Sequence, residues 1–313
     1  MDTRAARSET LLAVLSFLAV SVIWGSTYFG IRVALEGFPP FAIGAIRFLL
    51  AGGALFVYLR ARGEPAPTRS QWVAAIVTGF LFFVLGNGLV NVAEQRVSSG
   101  FASVLVATMP LWATLFERFF GERTSGREWI GLALGLCGVV VLNLGGEMRA
   151  SGMGAVAGLA APMAWALGSV LGKRVSLPTG PMRTASQMLA GGAAMALVSV
   201  VLGEHVAKVP SGRAVAAVGY LAVFGSLVGF SAYNYLLRHT RTAVATSYAY
   251  VNPVIAVALG VVFAAERFDV VSAIGAATIL AAVLVLTRSK ARAPSPAVRT
   301  VPAAPRSDAA LAD

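Results

Sequence analysis

Charge is what this chain has least of. Asp, Glu, Lys and Arg make up 12% of its 313 residues, hydrophobic residues make up 57%, and the mean hydropathy is +0.76. Soluble domains carry about 25% charged residues, so a water-solvated globular surface is excluded. Cysteine is reduced to Cys137, inside an apolar run, which rules out a disulfide framework. His205 and His239 fall in different loops, with no acidic or thiolate neighbours at ligand spacing. Neither a metal site nor any other cofactor is therefore expected. No Asp or Glu falls in the middle of an apolar run. A membrane enzyme would need facing carboxylates or His-containing ligand sets at one depth, so an enzyme is not expected. The net charge is +11, yet no basic cluster is interleaved with aromatics, so nucleic acid is not an expected partner.

What the chain does have is long apolar runs. About 18 or more such residues suffice to cross a bilayer core as a helix. Spans are expected near 11–31, 41–59, 72–93, 99–119, 128–144, 153–173, 183–202, 214–237, 243–263 and 270–287. The first run continues through Trp24 and Tyr28 to Ile31 without a small-residue cleavage site, so it reads as an uncleaved span and not a signal peptide. With both termini in the cytoplasm, 18 Lys and Arg fall on the cytoplasmic side and 6 on the other, with Arg47 left inside the second span. That bias predicts a cytoplasmic N-terminus and C-terminus. Residues 1–10 are then a cytoplasmic N-tail. The Pro-, Ala- and Arg-rich stretch 288–313 is expected to be a disordered cytoplasmic tail. The expected partners are a small-molecule substrate and membrane lipids, for a chain acting as a monomer.

The spans repeat. "LAGGA" occurs at 50–54 and at 189–193, and Trp24 in span one has Trp165 in span six. "ATMPLWATLFERFFGERTSGREWIG" (107–131) parallels "YVNPVIAVALGVVFAAERFDVVSAIG" (250–275), aligning Pro110 with Pro253 and Glu122–Arg123 with Glu266–Arg267. The order of these matches predicts two repeats, 11–146 and 147–287, of five spans each. An odd number of spans sends the second copy into the membrane from the opposite side. The expected fold is thus an all-α polytopic membrane protein with ten transmembrane helices in two inverted-topology five-helix repeats. Secondary transporters use that arrangement for alternating access around a midplane site.

"VIWGSTYFGIRVALEGFPPFAIGAIRFLLAGGALF", the proline-to-"GER" segment of the first copy and "ATSYAYVNPVIAV" of the second resemble the drug/metabolite transporter superfamily. Within it, the chain is most similar to ten-span members built from two EamA domains, over roughly residues 11–287. The resemblance implies ten helices around a central cavity and export of small metabolites, often amino acids, across the bacterial inner membrane. Small four-span relatives couple drug efflux to protons through an embedded glutamate, which this chain lacks at mid-depth. Proton-coupled multidrug efflux is therefore the alternative reading, with Glu94 its only fallback.

Polar side chains at membrane depth face a cavity or another helix. Asn87, Asn91 and Glu94, at i, i+4 and i+7, share a helical face with Phe80 and Phe83, and span eight carries Ser226, Phe230, Tyr233 and Asn234. These stripes suit a solvated pathway, while interhelical hydrogen bonds of about 0.6 kcal/mol each are their other use. Trp24 with Tyr28, and Trp165, are expected either as cavity walls or as filler in a small-residue seam. Arg47 has two uses: anchoring near the outer face by snorkelling, or meeting a substrate carboxylate. Pro110 and Pro253 are expected as shared structural kinks. Their neighbours differ between copies, since Tyr248, Tyr250 and Asn252 align with Leu105, Ala107 and Met109. Tyr248 and Asn252 share a face, and Tyr250 points elsewhere. The expected substrate-binding set is Trp24, Tyr28, Asn87, Asn91, Trp165, Tyr233, Asn234, Tyr248 and Asn252, with Arg47 and Glu94 as charge or coupling residues. A lining of this kind suits neutral or zwitterionic metabolites such as amino acids.

Overall fold

The computed structural model describes residues 3–96, 105–142, 152–206, 208–255 and 270–288. The Glu266–Arg267 pair and the tail beyond Arg288 lie outside the described residues. The helices are α1 (Thr3–Leu35), α2 (Pro40–Ala61), α3 (Arg69–Glu94), α4 (Met109–Phe119), α5 (Gly126–Leu142) and α6 (Gly152–Gly172). They continue with α7 (Gly180–Val201), α8 (Gly212–His239), α9 (Thr242–Thr246, then helical residues 248–255 past a turn at Ser247) and α10 (Val270–Arg288). No strand occurs among the described residues. Helices α1, α2, α3, α7 and α8 are long and apolar enough to cross a membrane. On α1, Leu11, Leu15, Leu18 and Val22 form an exposed stripe at helical spacing. Such a surface suits hydrocarbon, not water. The fold is an all-α polytopic membrane protein.

Local chemistry sets the helix ends. Thr68 and Gln71 form a capping box at the start of α3, and Ser211 caps α8. Pro40 opens α2, where a missing N–H costs nothing. The free N–H groups of Phe41 and Ala42 there donate to the Glu204 carboxylate of the second repeat (3.1 and 3.0 Å), which also accepts from Ser199 Oγ at 2.8 Å. Gly63 and Gly203, at the ends of α2 and α7, hold φ of 84° and 67°, a conformation that disfavours other residues.

Packing respects the repeat. Helix α2 packs on its counterpart α7, α5 on its counterpart α10, and α4 on α9. Helix α1 packs on α8, and the reciprocal pair, α6 on α3, does the same. Swapping the two halves therefore preserves the contact pattern. Even the irregularities repeat: π-helical turns occupy Phe80–Gly88 in α3 and Leu221–Val228 in α8. A π turn carries one extra residue, which rotates the downstream side chains about the helix axis, and it is frequent at functional sites.

The "LAGGA" copies turn out to be the α2–α7 seam. A Cβ at Gly52 would lie 2.8 Å from Met188 Cβ and 2.9 Å from the Leu189 nitrogen, and one at Gly192 would lie 3.0 Å from the Leu49 nitrogen. Each glycine thus lets the opposite backbone approach, as small residues do between membrane helices. Pro110 sits in the first turn of α4, after a helix break at 107–108, so it opens a helix and does not bend one. Pro253 lies within helical residues 248–255, downstream of the turn at Ser247. The two prolines therefore occupy different places relative to their helix breaks.

Candidate functional site

The repeat-related tryptophans meet at the centre. Trp24 of α1 stands edge-on to Trp165 of α6, with centroids 5.2 Å apart and planes at 85°. Tyr248 of α9 (4.8 Å) and Tyr233 of α8 (5.2 Å) complete the cluster around Trp24. The Trp24 indole donates from Nε1 to the Gly225 carbonyl at 2.9 Å. A Cβ at Gly229 would lie 2.5 Å from that nitrogen, so the indole fits because position 229 has no side chain.

A cavity opens beside this cluster, with about 60 Å³ available to the centres of water-sized molecules, room for several waters. Helix α1 contributes Trp24, Thr27, Tyr28 and Ile31, one face at i, i+3, i+4 and i+7. The π turn of α3 contributes Phe83, Gly86 and Asn87, with Val90 one turn on. Gly86 makes space for Trp165, whose Cε3 would be 2.7 Å from a Cβ there. Helix α2 contributes Arg47 and Phe48, and α6 contributes Ala161, Pro162 and Trp165. Gly225 and Phe230 come from α8, Val106 and Met109 from the α4 segment, and Tyr248 and Asn252 from α9. These residues lie in the C-terminal halves of α1 and α3 and the N-terminal half of α2. The cavity is thus displaced from the middle toward the α1–α2 and α3–α4 connections.

Six of the nine expected binding residues come together there: Trp24, Tyr28, Asn87, Trp165, Tyr248 and Asn252. The Tyr248 hydroxyl donates to Met109 Sδ at 3.5 Å. The Asn252 carboxamide, turned so that its nitrogen meets acceptors, donates to the Ser21 and Tyr248 carbonyls at 3.3 and 3.2 Å. Tyr250 points away, donating to the Leu132 carbonyl at 3.2 Å.

Three expected residues lie elsewhere. Asn91 donates to the Pro40 carbonyl at 2.8 Å and ties α3 to the start of α2. Tyr233 stands behind Trp24, with its hydroxyl 2.6 Å from Ser169 Oγ. Asn234 donates to Thr184 Oγ1 and Gln187 Oε1 at 3.1 Å each, and Gln187 Nε2 donates to Thr78 Oγ1 at 2.8 Å. This chain of hydrogen bonds joins α8, α7 and α3. Glu94, 7% exposed, is buried at the end of α3 and is not among the residues lining the cavity; its Oε1 has no hydrogen-bond partner among the described residues.

The π turn accounts for part of this division. A regular helix would put Phe80 and Phe83 on the Asn87 face, yet Phe80 is exposed while Phe83 is fully buried. Arg47 is 3% exposed and so does not snorkel; its Nε donates to Ser226 Oγ in the second π turn at 2.9 Å. Thr27, Met109, Pro162 and Gly225 were not anticipated in the lining, and nothing in their residue types sets them apart from packing positions.

Residues 11–144 and 152–288 each match the EamA-like transporter family. The chain belongs to that family. The inner membrane transporter YedA of Escherichia coli (strain K12), itself uncharacterized, is 43% identical over 276 residues, 88% of this chain and 90% of its own. The "Probable amino-acid metabolite efflux pump" of the same strain is 25% identical over 300 residues, 88% of this chain and 93% of its own. A crystal structure superposes with a TM-score of 0.70 at 24% identity, covering 88% of this chain and 98% of its own, a likeness of fold. This EamA-like protein is accordingly a multi-pass membrane transporter.

Proposed function

We propose that this EamA-like transporter exports amino acids or similar small neutral or zwitterionic metabolites across the bacterial inner membrane by alternating access. Both termini lie in the cytoplasm in this reading, as the loop charges favour. The supporting observation is the cavity where the repeats meet: it is walled by aromatic rings and carboxamides, with no carboxylate among the described residues lining it. Rings offer stacking and apolar area, and carboxamides offer both donors and acceptors. On the other side of the Trp24 cluster, the Thr78–Gln187–Asn234–Thr184 chain holds the helices closed. Alternating access then consists of breaking this chain while the cavity closes around Arg47.

The test is export. Cells overproducing the protein should accumulate amino acids outside, and purified protein in liposomes should move labelled amino acids faster than empty liposomes do. Absence of both effects across the proteinogenic set would sink the substrate reading.

The runner-up, proton-coupled multidrug efflux, draws on the buried Glu94 carboxylate, whose Oε1 has no partner among the described residues. Because Glu94 is not among the lining residues and glutamine preserves its shape, Glu94→Gln is expected to transport at close to the parent's rate, with any dependence on a pH gradient unchanged. Loss of gradient dependence in this variant would transfer support to the multidrug reading.

A further inference from the structure

We infer that Arg47 is the cavity's receptor for a carboxylate, so that the transported class comprises small organic acids and zwitterions with a free carboxylate and an apolar body. The inference rests on the transport reading above and narrows it, because it makes the carboxylate obligatory and the amine dispensable.

Three neighbours fix the guanidinium. Ser226 Oγ accepts from Nε at 2.9 Å and itself donates to the Leu221 carbonyl five residues back, at 3.0 Å, within the π turn. The Phe48 ring lies beneath Cζ at 4.6 Å. Gly225 leaves the room that Nη2 uses, since a Cβ there would be 2.8 Å from it. Held this way, the group lines the cavity, and its Nη1 has no hydrogen-bond partner among the described residues.

A guanidinium stays charged in proteins and offers a planar fork of donors matched to two carboxylate oxygens. Keeping one inside a membrane helix costs about 2.5–3.5 kcal/mol on insertion scales, so it persists where something offsets that cost. No carboxylate pairs with Arg47 among the described residues. Arg183 shows the contrasting use: it lies outside the cavity lining and its Nη2 donates to the Gly172 carbonyl at the end of α6, at 2.8 Å. Arg47 instead donates to a side-chain hydroxyl, Ser226 Oγ.

The single charge also sets the valence. Arg47 is the sole cation among the described lining residues, which suits one carboxylate and not a phosphate dianion or a dicarboxylate. No carboxylate stands among the described lining residues to select an ammonium. The amine of a zwitterion would meet ring faces such as Trp24 and Tyr248, contacts that add affinity without being required.

Trp24 and Trp165 supply the readout, since both indoles line the cavity and ligand binding alters their fluorescence. The purified full chain in nanodiscs is titrated with phenylalanine, N-acetylphenylalanine, 3-phenylpropionate and phenylalaninamide. The three carboxylates should bind and the amide should not. Arg47→Gln, which retains a donor for Ser226, should weaken the carboxylates about 10- to 100-fold, the worth of a charge-assisted hydrogen bond, and Arg47→Lys should weaken them less. Binding of the amide as tightly as the acid overturns the inference and leaves the transport reading standing; this comparison needs no variant. Unchanged carboxylate binding in folded Arg47→Gln overturns it in the same way. Binding of the two amine-free carboxylates without phenylalanine supports the inference and removes the amino-acid reading. Failure of all four to bind removes both.

Discussion

Trp24→Ala is expected to destabilise the protein by about 3–5 kcal/mol, the range for emptying a buried aromatic site, and to reduce transport to the level of empty liposomes. Trp24 touches Trp165, Tyr233 and Tyr248, so this ring of the first repeat packs on three of the second and also lines the cavity. Each aromatic pair is worth about 0.5–1.5 kcal/mol beyond area burial. The bond to the Gly225 carbonyl adds about 1 kcal/mol. That bond also steadies the π turn against which Arg47 is seated, so its loss reaches the proposed carboxylate receptor. Trp24→Phe separates the two roles: it keeps most of the packing and loses the hydrogen bond. Thermal unfolding in detergent should place it between the parent and the alanine variant, with transport impaired more than stability. Parent-like unfolding and parent-like transport in Trp24→Ala would remove the cluster from any central role.

The second large effect is expected at the α2–α7 seam. Gly52→Leu or Gly192→Leu should cost about 1–3 kcal/mol or more, the range for overpacking, because the new side chain meets opposing backbone and not a mobile side-chain end. Both variants should lose monodispersity on size exclusion and yield little folded protein. Gly53 is the internal control. Its nearest neighbour from a built Cβ is Leu189 Cδ2 at 3.9 Å, so Gly53→Ala should behave as the parent. Equal tolerance at positions 52 and 53 would mean that the seam does not hold the halves together.

The architecture was legible because its causes are written in composition and order. Apolar runs of membrane length located the helices, and the repeated "LAGGA" and Trp24/Trp165 pair pointed to two related halves; that these elements meet each other is visible only in the structure. The interior was legible only in part, because it depends on rotation about helix axes. Spacing put Asn87, Asn91 and Glu94 on one stripe. The π turn at Phe80–Gly88 inserts a residue into that register, and the stripe divides into cavity lining at Asn87, a helix tie at Asn91 and a buried end at Glu94. Nothing in "FLFFVLGNG" marks a π turn, since its backbone bonds carry no residue-type signature. Asn234 was ambiguous for another reason. A polar side chain at depth satisfies itself equally well across a cavity or across a helix pair, and only the presence of Gln187 and Thr184 opposite decides it. Tyr248 and Asn252 stood out because they broke the symmetry between the copies, a signal that requires the repeat to be aligned first.

Trans-stimulation tests the central claim, that a substrate site between inverted repeats is exposed to one side at a time. Proteoliposomes preloaded with unlabelled phenylalanine and diluted into trace labelled phenylalanine should accumulate label transiently above equilibrium, with a saturable initial rate. A rate that ignores the preload and rises linearly with concentration would instead describe a pore, and would contradict alternating access.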